Sequence, residues 1–149
     1  MTNETQSLRD ARAYYFRRAG FAADGGYNDR WVVLRAGRIP VSAFPNIAAR
    51  RRAVWLHDLH HVLTGYDTSW TGEAEIAAWE LASGCGRFWV AWVLNAGAMA
   101  VGMLIAPRRT LRAFARGRRS GNLYAGRFDD AVLERTVGSL RAEIGVAPC

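Results

Sequence analysis

The stretch NIAARRRAVWLHDLHHVLTG (46–65) decides the reading of this chain. From Asn46 onward the apolar residues recur at helical spacing, and Gly65 supplies a stop, so one long helix is expected with Asn46 as its cap. The same stretch holds every histidine of the protein, at His57, His60 and His61. On a helix each residue advances about 100°, so with His57 at zero His61 falls near 40°, Asp58 at about 100° and His60 at about −60°. His57, Asp58 and His61 therefore share a face, and His60 lies on the other side of His57.

Working outward, further helical segments are expected from about Thr71 to Ser83, over 88–106 with Pro107 as the stop, and over 108–118. A last helix should be capped by Asp129 or Asp130 and close near Gly145. Upstream, 6–19 has a helical period ended by Gly20, and DGGYND (24–29) reads as a loop. WVVLRAGRIPVSAFP (31–45) suggests a short hairpin about an Ala-Gly turn, although Pro40 and Pro45 are poor strand residues. The expected fold is mainly α: one domain over 1–149, a compact helical bundle with a short N-terminal β-hairpin.

The chain has 149 residues, half of them apolar, enough for a packed core. Its two cysteines, Cys85 and Cys149, form no disulfide framework and no zinc-finger spacing, which points to a reducing compartment. No secretory signal is visible at the N-terminus, so a cytoplasmic location is expected. Net charge is +7, and all 20 basic residues are arginine, a bias that fits a GC-rich bacterial genome. The arginines cluster at Arg50, Arg51 and Arg52 and through Arg108–Arg119. A solvated helix face and a surface for anionic lipid or phosphorylated ligands are both open readings. Nucleic acid is disfavoured, because no zinc finger, RNP-like or helix-turn-helix signature accompanies them.

Two imidazoles and a carboxylate on one helix face lack one donor for a closed four-coordinate metal site. Glu73, just inside the next helix, is the natural fourth if that helix folds back antiparallel. Glu80, seven residues on and on the same face, is placed to accept an imidazole N–H from behind. The mixed nitrogen and oxygen set suits one divalent ion, zinc foremost, with iron or manganese as alternatives, and disfavours calcium.

The pattern His57-Asp58-x-x-His61, eleven residues, then Glu73 resembles the signature of the coenzyme Q (ubiquinone) biosynthesis protein four family. HDLHHVLTGYDTSWTGE (57–73) is similar to that family's His-Asp helix, turn and Gly-Glu pair. GRRSGNLYAGRFDDAVLERTVGSLRAEIGV (117–146) is similar to its Gly-Arg-Arg, Asn-Leu-Tyr loop and closing helix. The resemblance covers about 50–145. It implies His57, Asp58, His61 and Glu73 as metal ligands beside a cavity for a prenylated lipid. It also implies attachment to the inner membrane surface and association with other quinone-synthesis proteins. The implied activity is oxidative removal of the ring carboxylate of a polyprenyl hydroxybenzoate, a hydroxyl taking its place. Family members are usually longer before the motif, and here a Gly-Tyr-Asp-Thr turn stands where Pro-Thr is commoner.

Nineteen consecutive uncharged residues, FWVAWVLNAGAMAVGMLIA (88–106), admit three readings: a buried core helix, the wall of a prenyl groove, or a membrane span, which needs about twenty. Ala98, Gly102 and Ala106 make one side small enough for a close neighbour, and Phe88, Trp89 and Trp92 are the expected groove walls. Arg50, Arg51 and Arg52 are candidates for holding an anionic substrate. Two rival functions remain, a metal-stapled lipid-binding or scaffold protein and a metal-dependent phosphohydrolase. The second usually needs further histidines, which this chain has spent. A homo-oligomer is left open.

Overall fold

The computed structural model describes residues 3–36, 38–126 and 129–147. Gly37 of the expected Ala-Gly turn and Cys149 lie outside these. Among the described residues six α-helices and one two-stranded sheet account for the regular structure, as the mainly helical reading with an N-terminal hairpin anticipated. In chain order they are α1 (Leu8–Ala19), β1 (Trp31–Ala36), β2 (Ile39–Pro45), α2 (Ala48–Thr64), α3 (Trp70–Ser83), α4 (Trp89–Ile105), α5 (Pro107–Gly117) and α6 (Val137–Ile144).

β1 and β2 pair antiparallel from Trp31↔Pro45 to Ala36↔Ile39, with an irregularity between Leu34 and Arg35. Both strands are edges, so Pro40 and Pro45 cost no ladder that a third strand would need. α2 does not start on an Asn46 cap. Ile47 holds the cap position without a side-chain bond, while the Asn46 amide reaches the carbonyls of Gly26, Tyr27 and Asp29 and pins the 24–29 loop to the helix. The last helix likewise departs from expectation. Asp129 caps a 3₁₀ turn over Asp130–Glu134, and α6 begins only after it, capped by Thr136, whose hydroxyl accepts from Ser139 N–H. In both cases a loop with unsatisfied backbone groups claimed the short polar side chain before the helix did.

α2 and α3 form an antiparallel pair that carries the centre of the core, with Leu59, Leu63, Ile76 and Trp79 excluded from solvent. α5 lies on α3 through Thr110, Ala113 and Gly117, leaving its arginine-rich face outward. α4 is neither fully buried nor a span. Only Val90, Ala91, Asn95 and Gly102 are buried along it. No helix among the described residues is long and apolar enough to cross a membrane. The small-residue stripe does admit a close neighbour: a Cβ on Gly102 would stand 2.5 Å from Ala74 Cβ and 2.6 Å from Thr110 Oγ1. That contact draws α3, α4 and α5 together and sets α4 opposite α2 across a groove.

Candidate metal centre

His57 and His61 are one helical turn apart on α2, and Glu73 enters from the first turn of α3. The turn between the helices is tight. Gly65 ends α2 with φ 81°, and the backbone of Asp67 packs so closely on Gly72 that a Cβ there would lie 2.2 Å from the Asp67 carbonyl oxygen. Ser69 caps α3 by accepting from Gly72 N–H, and these contacts fix where Glu73 stands.

The three side chains converge. His61 Nε2 is 3.2 Å from His57 Nε2, His57 Nε2 is 3.3 Å from Glu73 Oε2, and His61 Nε2 is 3.4 Å from Glu73 Oε1. The other ring nitrogens settle the tautomers. His61 Nδ1 lies 2.9 Å from the Tyr66 carbonyl oxygen, which can only accept, so this nitrogen carries a proton. His57 Nδ1 lies 3.0 Å from Glu80 Oε1 and donates to it. With both Nδ1 atoms donating outward, both Nε2 atoms and the Glu73 carboxylate point at one place. Without a cation a proton on His57 Nε2 bridges to Glu73 Oε2. Loss of that proton leaves two lone pairs and a carboxylate facing one point, an arrangement that a cation relieves.

The spacing fits one. Metal–ligand bonds of about 2.0–2.1 Å in tetrahedral geometry put neighbouring donors about 3.3–3.4 Å apart, which is the separation of this group. His57, His61 and Glu73 can thus hold a metal ion. Glu73 keeps 40% of its side-chain surface exposed and His57 18%, so the group opens toward the groove.

The fourth expected ligand stands outside this group. Asp58 is buried beside it, but its Oδ2 accepts the Tyr27 hydroxyl. Packing rather than helical angle decides this: α3 supplies Glu73 and Glu80 to the histidines, and the 24–29 loop brings the Tyr27 hydroxyl to Asp58. Burial raises the Asp58 pKa above the ordinary carboxylate value, against the lowering effect of His57 and Tyr27.

Glu80, expected to accept from an imidazole, lies behind His57, and it does more. It is fully buried, and its Oε1 accepts from His57 Nδ1 and from His60 Nδ1 at 2.6 Å. Its Oε2 accepts from Asn95 Nδ2 at 2.5 Å and from the Tyr124 hydroxyl at 3.0 Å. His60 is the structural histidine of the three: its Nε2 accepts Leu123 N–H at 2.9 Å, and burial lowers its pKa. Burial alone would raise Glu80, but the charge and N–H of His57, with His60, push it well below the ordinary range. Glu73 is held low in the same way by its hydrogen bonds to His57 and His61.

Sequence reading missed four partners of the site. Tyr15 of α1 stacks on His61 with centroids 5.4 Å apart and rings 18° from parallel. Tyr27, Asn95 and Tyr124 come from three further segments. In the sequence Asn95 stood out as the one amide in nineteen uncharged residues, and Tyr124 only as the Tyr of the Asn-Leu-Tyr loop.

The centre borders a cavity of about 670 Å³ between α2 and α4, lined mainly by apolar atoms; Val54, Leu94, Ala98 and Val101 form much of the wall. The expected walls are elsewhere. Phe88 is buried against Tyr124, and Trp89 and Trp92 point outward at 61% and 43% exposure. Of the three consecutive arginines only Arg50 lines the cavity; Arg51 and Arg52 are exposed outside it.

Without a cation, burial would depress the His57 pKa, but Glu80 and Glu73 carry it well above the ordinary imidazole value. A group raised on folding stabilises below its unfolded value, about 6.5, and that contribution is lost as pH rises through the folded value. Metal binding runs the other way, because the Nε2 proton must leave. The melting-temperature difference between metal-loaded and chelator-treated protein is therefore expected to widen between about pH 6 and pH 8. Thermal scans that show a constant gap would contradict this.

No protein-family model and no curated protein matches this chain.

Proposed function

We propose that this protein is a metal-dependent enzyme of the ubiquinone-synthesis type, acting on a prenylated hydroxybenzoate. The observation that carries the reading is the convergence of His57 Nε2, His61 Nε2 and Glu73 on the wall of an apolar groove. The similarity of His57-Asp58-x-x-His61 and Glu73 to the coenzyme Q biosynthesis protein four signature supports it. In this reading the prenyl chain would lie along α4 and the aromatic acid would meet the metal centre. The ring carboxylate would leave as carbon dioxide, one atom of dioxygen would become the hydroxyl oxygen, and the other would leave as water, with two electrons and two protons from an external reductant. A divalent ion held by the three residues, zinc, iron or manganese, supplies Lewis acidity for the ring oxygens, and iron or manganese adds a redox change that zinc lacks. Glu80 and the Tyr66 carbonyl fix the two imidazoles, and Tyr15 covers His61. Partial exposure of Glu73 favours an enzyme over a closed metal staple, since catalytic sites keep a position open. The phosphohydrolase alternative finds no further histidine, because both ring nitrogens of His60 are engaged.

The test is elemental analysis joined to turnover. Protein with about one metal per chain should release labelled carbon dioxide from a ring-carboxyl-labelled prenyl hydroxybenzoate and incorporate oxygen from labelled dioxygen. Stoichiometric metal and tight prenyl binding with no turnover would return the protein to the staple or scaffold class.

A peripheral place on the inner face of the bacterial inner membrane belongs to the same proposal. Leu104, Ile105 and Leu111 are exposed at 85%, 52% and 51% where α4 meets α5, beside exposed Arg108 and Arg112. An apolar rim among arginines is complementary to an anionic bilayer surface. The protein is expected to float with vesicles containing phosphatidylglycerol and to be released by 0.5 M salt, about a 4 Å screening length. Flotation that survives salt, or binding equal on neutral vesicles, would refute the charge-based attachment.

A further inference from the structure

Arg50, Val54, His57 and His61 lie along one face of α2, and the first three line the groove. Arg50 stands two helical turns before His57, about 10.5 Å along the axis. Its guanidinium is held in place from two sides: Nη1 donates to Asn46 Oδ1 at 3.0 Å, and the group lies 5.6 Å over the Phe44 ring. Its Nε–H is buried with no acceptor among the described residues. Asp58, the nearest carboxylate along this face, accepts from Tyr27 instead. Arg12 also has an unmet nitrogen, Nη1, but it sits over Phe16 and Trp55 and does not line this cavity.

A buried donor without a partner costs about 1–3 kcal/mol, and native proteins rarely keep one without a use. This one belongs to a fixed cation at the edge of an apolar groove that also holds the metal centre. A ligand that matches all of it is amphipathic and anionic, with an acid oxygen for the guanidinium and an apolar body for α4.

We infer that Arg50 is the acid-recognition point of the groove, its Nε–H donating to an oxygen of the anionic group of an apolar-tailed ligand. The inference rests on the reading above that the groove takes a prenylated aromatic acid. Arg50 acts by positioning and selecting that ligand, and it assigns a role to one arginine of the 50–52 cluster while leaving Arg51 and Arg52 to solvent.

The test uses chelator-treated full-length protein, so that a metal contributes nothing to acid binding. Two probes are titrated by tryptophan fluorescence, 3-geranyl-4-hydroxybenzoate and its decarboxylated counterpart 2-geranylphenol. Wild-type protein should prefer the acid by about 10- to 100-fold, the worth of a charged hydrogen bond. Arg50→Gln should abolish the preference and leave phenol binding unchanged, Arg50→Lys should restore part of it, and Arg51→Gln should behave as wild type. Melting curves of each variant verify folding. An acid preference that survives Arg50→Gln, or equal loss of both probes in that variant, overturns the inference. Wild-type binding of the phenol without preference for the acid overturns it while leaving the groove reading intact. Failure of wild-type protein to bind either probe removes the groove reading and the inference together.

Discussion

Purified His57→Ala protein is expected to carry background metal where the wild type carries about one ion per chain. His57 contributes one of three donors separated by 3.2–3.4 Å, and no other imidazole is free to replace it. Glu73→Gln should behave similarly, because the amide removes the only carboxylate of the converging group. In both variants the fall in affinity should exceed the roughly 10- to 100-fold typical of losing an outer hydrogen-bond partner. Asp58→Asn is the informative contrast. With its carboxylate turned to Tyr27, the asparagine variant should keep more metal than Glu73→Gln. His60→Ala should lose stability and yet retain metal in the fraction that folds, since its nitrogens serve Glu80 and Leu123. Metal content is read by plasma emission on protein prepared without chelator. Equal losses in the His57, His60 and Glu73 variants would contradict the assignment of faces on α2.

Glu80→Ala should be the most destabilising single change in the helical pair. The carboxylate takes four donors, two on each oxygen, from α2, α4 and the 3₁₀ turn at Leu123–Ala125. Alanine leaves His57 Nδ1 and His60 Nδ1 without this acceptor, and Tyr124 and Asn95 with only their longer contacts to the Ala53 carbonyl at 3.3 Å and Cys85 Sγ at 3.6 Å. Breaking a buried charged network costs about 3–5 kcal/mol, a large part of the 5–15 kcal/mol typical of a domain, and on the order of 10 °C in melting temperature. Glu80→Gln keeps the shape and one carbonyl oxygen for the two histidines, while its amide opposes Asn95 and Tyr124. That variant should fold and lose about 10- to 100-fold in metal affinity, as expected when the group orienting a ligating histidine is weakened. Calorimetry with metal titration separates the two effects. A Glu80→Ala protein that melts with the wild type would mean the network contributes nothing to the fold.

Much of the site could be read from local spacing. His57 and His61 are one turn apart, so their common face follows from helix geometry alone, and Glu73 lies one short turn downstream. The loss of Asp58 from the group could not be read that way. Its angle on α2 allowed it to join His61, and only the position of Tyr27, thirty-one residues earlier, gave its carboxylate another partner. The caps failed for a related reason. Asn46 and Asp129 have the chemistry of helix caps, but a tertiary contact presented the 24–29 loop carbonyls to Asn46, and Asp129 capped a local 3₁₀ turn through Ala131 N–H. The groove walls were misplaced because aromatic bulk was weighed above direction; Gly97 and Ala98 of α4 line the groove, Gly102 meets α3 and α5, and Trp89 and Trp92 face outward.

The sequence by itself determined what local geometry and chemistry control: the helical class, the long α2 helix with its histidine face, the breaks at Gly65 and Pro107, and the common face of Glu73 and Glu80. Tertiary structure alone decided which carboxylate completes the donor group, which arginine of three enters the groove, and how Asn95 and Tyr124 close the Glu80 network. The division is physical. Contacts within a turn or two follow from a fixed rise and rotation per residue, whereas contacts between distant segments depend on how several helices pack at once, to within the width of one side chain.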